Sequence, residues 1–130
     1  MRRRLPSPGD RIALGTFGEG VAARHLRRSG YRLIARDYRC DLGQIDLIAA
    51  RGATLVFVEV KTRGGDDEPF DGANPVHPDQ QEQIIRAAKY FLRHPAADNR
   101  PVRFDVVMVS VGSDGAMHVE HEEDAWRPLH

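Results

Sequence analysis

The run Leu55-Val56-Phe57-Val58-Glu59-Val60-Lys61-Thr62 constrains the fold of this chain more than any other segment. Consecutive apolar residues through Val58 read as a strand covered on both faces, which belongs in the middle of a sheet. Its far end carries a glutamate and a lysine. Charges at the end of a buried strand are costly unless they are paired or used. Strand side chains alternate, so Glu59 and Lys61 point to one face.

A chain of 130 residues forms one domain and can bury a core without disulfides. Cys40 is the single cysteine, which excludes a disulfide framework or a cysteine-rich zinc site. No apolar stretch approaches the roughly 20 residues that span a bilayer, so no membrane partner is expected. The basic start, Met1-Arg2-Arg3-Arg4, is not followed by an apolar segment and does not read as a secretory signal. With Pro6 and Pro8, residues 1–10 read as a disordered basic arm. Together these features predict a cytoplasmic protein.

Net charge is zero, but it is unevenly spread. Residues 1–40 hold ten arginines against Asp10, Glu19 and Asp37, a balance of +7; the rest holds nine basic and sixteen acidic residues, a balance of −7. A basic first third can face phosphates, and equally can coat a solvated helix. Arg24, Arg27 and Arg28 are its candidate nucleic-acid contacts, together with Arg63 beyond the central strand.

Apolar spacing predicts a helix over about 11–29, stopped by Gly30. Strands follow at 31–38, 44–50 and 54–62, then a long mobile loop from Arg63 to His77. A second helix is expected at about 79–94, capped by Asp79 with Glu82 three residues on. Strands at 102–111 and 117–120 complete a domain over 11–120, and 121–130 reads as an acidic tail. The six histidines are scattered and read as surface residues. The order predicts an α/β fold with a central mixed five-stranded sheet flanked by helices.

If Gly52 and Ala53 are the loop of a hairpin, Arg51 faces Thr54, Asp46 faces Glu59 and Gln44 faces Lys61. Opposed residues have Cβ atoms about 4.5–5.5 Å apart, so Asp46 and Glu59 share one small volume. A divalent cation offsets that repulsion best, and oxygen ligands suit magnesium or manganese. Glu19 is a further candidate, flanked by Gly18 and Gly20. Such glycines weaken a helix by roughly 1 kcal/mol each, a cost that close backbone approach would explain. Two carboxylates and a lysine suit phosphodiester hydrolysis: the metal activates water, and lysine supplies positive charge to the transition state or helps deprotonate the water.

Several motifs carry a family resemblance: Gly18-Glu19-xx-Ala22, Gly30-Tyr31, Asp37-Tyr38-Arg39-Cys40, Gly43-Gln44-Ile45-Asp46-Leu47-Ile48-Ala49, Val56-Phe57-Val58-Glu59-Val60-Lys61-Thr62-Arg63 and Arg103-Phe104-Asp105-Val106-Val107. Over residues 15–110 the chain resembles the YraN-like family of bacterial proteins, within the PD-(D/E)xK restriction-endonuclease-like superfamily. Its layout is similar to that of archaeal Holliday-junction resolvases. The resemblance implies a restriction-endonuclease-like core and a magnesium-dependent nuclease acting on DNA, branched DNA included. It makes Asp46, Glu59 and Lys61 the catalytic set, with Glu19 as the helix-one acid. Magnesium would be held by Asp46, Glu59 and the Val60 carbonyl, with Gln81 near the site at the start of helix two. Resolvase-like enzymes act as dimers, so a homodimer is expected. Two positions depart from the family pattern: Gln44 stands where glutamate is usual and Gln80 where lysine is usual.

Three readings remain open from the sequence. One is a metal-dependent nuclease. The second is a non-catalytic nucleic-acid-binding module with the same fold. The third is an interaction subunit that docks a partner through residues 120–124.

Overall fold

The computed structural model describes residues 10–65, 67–97 and 99–128, with the side chain of residue 96 outside the description. The expected arm therefore lies outside the described residues, except for Asp10. Asp10 is the N-cap of helix α1 (Arg11–Arg28), its carboxylate accepting the Ala13 N–H. Gly30 follows the helix at φ +89°, a conformation glycine adopts without penalty.

Strands β1 (Arg32–Cys40), β2 (Gly43–Arg51) and β3 (Thr54–Gly64) form an antiparallel meander. Helix α2 (Pro78–Phe91) and a short 3-10 turn (Pro95–Ala97) cross to β4 (Val102–Val111), which pairs parallel to β3. Strand β5 (Met117–Trp126) returns antiparallel. The spatial order is β1-β2-β3-β4-β5, so β3 is central, as its apolar run requires. This is the mixed five-stranded α/β sheet flanked by helices expected from the sequence.

Alternation along β3 divides the core. Val56, Val58 and Val60 pack under α1 with Val21, Ala22 and Leu26. Leu55 and Phe57 pack under α2 with Ile84, Ala87 and Ala88. The β2–β3 register is the expected one, Arg51 facing Thr54 across Gly52-Ala53. Gly18 is required by packing: a Cβ there would lie 1.9 Å from Thr62 Oγ1 of β3. A Cβ at Gly20 would meet nothing within 4 Å, so close approach explains only one of the two glycines.

The β1–β2 ladder contains a matched irregularity. Arg36 pairs with Leu47 and Tyr38 with Ile45, and the row between them is Asp37 beside Asp46. Ala35 and Tyr38, and likewise Ile45 and Ile48, lie three residues apart yet face the same α2-side core. Both strands thus switch faces at the aspartate row. Asp37 takes up the turn at φ +51°, a conformation uncommon outside glycine and strained except where neighbours hold it.

Several boundaries differ from expectation. Helix α2 begins at Pro78, not Asp79; proline suits the first helical position because its missing N–H would be unbonded there anyway. His77 is the N-cap and makes no side-chain capping bond, so the expected capping box is absent. The loop after β3 is anchored rather than loose. Asp67 accepts the Gly64 N–H at 2.8 Å and pairs with Arg11, and Asn74 donates to the Ala125 carbonyl at 2.9 Å.

The acidic segment expected as a tail from 121 is strand as far as Trp126. Buried Asp105 is the reason. It takes Arg103 Nε at 2.9 Å and Nη2 at 2.8 Å, lies 2.7 Å from His121 Nε2, and accepts the Asp124 N–H at 3.0 Å. Trp126 stacks on Phe104, and Tyr31 donates to Glu123. His121 is therefore part-buried beside Asp105, against the expectation of a surface histidine; its side chain is 9% exposed.

Candidate active site

The site forms where β2 and β3 part. Their ladder ends at Leu47 facing Val58, and the next row would be Asp46 facing Glu59. Asp46 Oδ2 instead accepts the Val60 N–H at 2.8 Å, so a side chain takes over from the backbone ladder. Glu59 and Lys61 lie on the α2 side of β3. Helix α1 brings Glu19 close enough to Asp46 for the two carboxyls to act on each other's ionisation.

Three carboxyls consequently stand in series, Glu19 to Asp46 to Glu59. Glu59 is 7% exposed. Burial first, then the neighbouring Asp46 charge, pushes its carboxyl up to about 8, against the pull of Lys61. Burial, Asp46 and Asp37 push Glu19 up to about 7, with Arg36 opposing. Asp46 is raised as well, chiefly by burial, although the Val60 N–H and Lys61 draw it down. Burial is the first cause in all three, and mutual carboxylate repulsion adds to it at Glu19 and Glu59.

The cationic end is organised by a residue that sequence reasoning placed one position away. Lys61 Nζ donates to Gln80 Oε1 at 2.7 Å, Gln80 Nε2 donates to Glu59 Oε1 at 2.8 Å, and Lys61 lies 3.6 Å from Glu59. Gln81, the expected site residue, turns away and donates to the Val76 carbonyl at 2.8 Å. With Pro78 opening α2, it is Gln80 in the first turn that faces the end of β3. Gln44 does not face Lys61 either. Its amide donates to Asp37 at 2.7 Å, because the strands have already switched faces there.

Arg63 shares the face of Glu59 and Lys61, is exposed, and lies over the Phe70 ring at 5.2 Å. Arg24, Arg27 and Arg28 are exposed on α1 and join no contact of the carboxyl group. Among the described residues, no three His, Cys, Asp or Glu side chains are arrayed around one point as a metal site. The donor chemistry still fits a hard divalent cation. Asp46 and Glu59 are neighbouring carboxyls, part-buried and buried, both pushed up chiefly by burial, and Asp46 is held against the Val60 backbone by its N–H.

The profile of the uncharacterised protein family UPF0102 matches residues 18–109. The chain belongs to this family. A UPF0102 protein of Frankia casuarinae is 44% identical over 115 residues, spanning 88% of this chain and 96% of the relative. One from Syntrophus aciditrophicus is 40% identical over 115 residues, spanning 88% and 89%. One from Rhodococcus opacus is 42% identical over 115 residues, spanning 88% and 97%. UPF0102 is the family the YraN-like resemblance pointed to. Among solved structures, Pyrococcus furiosus SfsA in complex with Ca2+ aligns with a TM-score of 0.32 and 16% identity. That alignment covers 86% of this chain and 61% of that one. No helix among the described residues is long and apolar enough to cross a membrane.

Proposed function

We propose that this UPF0102 protein is a metal-dependent nuclease that hydrolyses phosphodiester bonds in DNA. The observation that carries the reading is the carboxyl series Glu19–Asp46–Glu59 with Lys61 at one end, at the parting of two core strands. Magnesium or manganese would be held by Asp46, Glu59 and the Val60 carbonyl, with Glu19 joining through Asp46. The ion would supply Lewis acidity and charge neutralisation at the phosphate. Lys61 sets a point charge where charge builds in an in-line displacement. Gln80 bridges Lys61 and Glu59 and fixes the orientation of both. Arg63, on the same face, is placed to meet substrate phosphate.

Purified protein with magnesium or manganese should cut linear, circular or branched DNA. Cleavage that survives both Asp46→Ala and Lys61→Ala would overturn the reading. A second reading, a nucleic-acid-binding module without catalysis, is favoured by one observation: Gln80 already bonds both Glu59 and Lys61. It expects salt-sensitive binding, weakened by charge reversal at Arg24, Arg27 and Arg28, and no cleavage with either metal.

A further inference from the structure

Away from the carboxyl series, the C-terminal end of α2 and the edge strand β1 frame two joined hollows. One, of about 260 Å³, is lined by Arg32, Ile34, Phe91 and Arg100 among others. The second, of about 370 Å³, is lined by Tyr38, Tyr90 and Arg93 and shares Phe91 with the first. Tyr90 is 47% exposed and Ile34 is 40% exposed, large apolar surfaces that the fold leaves uncovered. The Arg93 guanidinium lies 5.5 Å from the centre of the Tyr90 ring, and Arg100 is braced on the Ala53 and Gly52 carbonyls. Among the described residues, no acid lines either hollow.

Aromatic rings interleaved with arginines, one of them braced on backbone carbonyls, without a carboxylate, complement a ligand that is both flat and polyanionic. We infer that this surface binds unpaired, single-stranded nucleic acid, its bases stacking on Tyr90 and Tyr38 and its phosphates meeting Arg32, Arg93 and Arg100. Bases in a duplex are already stacked on one another and cannot use the rings. A second copy of the chain is disfavoured as occupant, since it would bring the same cations face to face. The helical rise places Tyr90 about 15 Å along α2 from Gln80. A strand lying on this surface therefore leads toward the end of the helix that holds Lys61. The inference rests on the nuclease reading only for that purpose: it names an unpaired flank as the part of the substrate held beside the cut.

The test is fluorescence anisotropy with a labelled oligothymidine strand and a duplex of equal length, in EDTA so that cleavage plays no part. The strand should bind more tightly than the duplex, and Tyr90→Ala should weaken strand binding about tenfold while sparing the duplex. Arg93→Ala should lower the salt slope of strand binding by about 0.7. Circular dichroism checks folding, and Tyr90→Phe, which keeps the ring, should bind as the wild type does. A folded Tyr90→Ala protein that binds the strand unchanged would overturn the inference, as would polyglutamate binding with the same dependence on Tyr90. Tyr90-dependent binding in a protein that cuts nothing with metal would leave the inference standing and remove the nuclease reading.

Discussion

Asp46 accepts the backbone N–H of Val60 at 2.8 Å, at the row where the β2–β3 ladder stops. One side chain thus closes the strand pair and forms the middle of the carboxyl series. The two roles separate by substitution. Asp46→Asn keeps an acceptor for Val60 and should cost under about 1 kcal/mol, whereas Asp46→Ala leaves a buried N–H unpaired at about 1–3 kcal/mol. Both should abolish cleavage. Urea melts beside a cleavage assay distinguish the structural from the chemical loss.

Glu59, raised from 4.5 to about 8, couples stability to pH. Its folded-state value lies above its unfolded one, so its favourable contribution is complete below about pH 4.5 and lost as pH rises through 8. Glu59→Gln should therefore gain on wild type by a few kcal/mol between pH 5 and 8, the window set by those two values. Thermal melts across that range check the sign. A divalent cation should raise the wild-type melting temperature at pH 8 and leave Glu59→Gln nearly unmoved.

The two glycines flanking Glu19 should respond oppositely to alanine. At Gly20 a Cβ is unobstructed, so Gly20→Ala should stabilise by up to about 1 kcal/mol through helix propensity. At Gly18 the Cβ would strike Thr62 Oγ1, and Gly18→Ala should destabilise despite the same gain. Thr62→Ala in the Gly18→Ala background should recover part of the loss. Chemical denaturation of wild type, Gly18→Ala, Thr62→Ala and the double variant reads the coupling directly.

Asp105 should be the costliest single position to truncate outside the candidate site. Asp105→Ala strands Arg103, His121 and the Asp124 N–H in a buried setting, an effect of about 3–5 kcal/mol. Hydrogen exchange should show β5 opening first. Burial alone would raise this carboxyl, but the His121, Arg103 and Asp124 bonds hold it below the ordinary aspartate value. Its stabilisation is present above the unfolded value of 3.8 and disappears as pH falls through the lower folded value. Acid titration of wild type should show this loss, and Asp105→Asn should not.

Much of the site was legible in the sequence because strand periodicity is rigid. The two-residue loop Gly52-Ala53 set the register, which put Asp46 next to Glu59, and alternation put Lys61 on Glu59's face. Gln81 was expected near the site from the family resemblance alone; which glutamine of the first turn reaches Lys61 and Glu59 depends on how α2 is set against β3, and that residue is Gln80. Gln44 was misplaced because alternation was assumed through the Asp37–Asp46 row, where both strands switch faces. No spacing rule foretells an aspartate at φ +51°.

By itself the sequence determined the central strand, its neighbours in the meander and the two acids and lysine at its end. Those follow from side-chain period and turn length, which act between near neighbours. Only the tertiary structure decided that Gly18 lets α1 close on Thr62 and deliver Glu19 to Asp46, that Gln80 spans Lys61 and Glu59, and that Asp105 draws an acidic tail into the sheet. These contacts join residues distant in the chain. Their cause is the need to satisfy buried charge, which exists only once the core has closed around it.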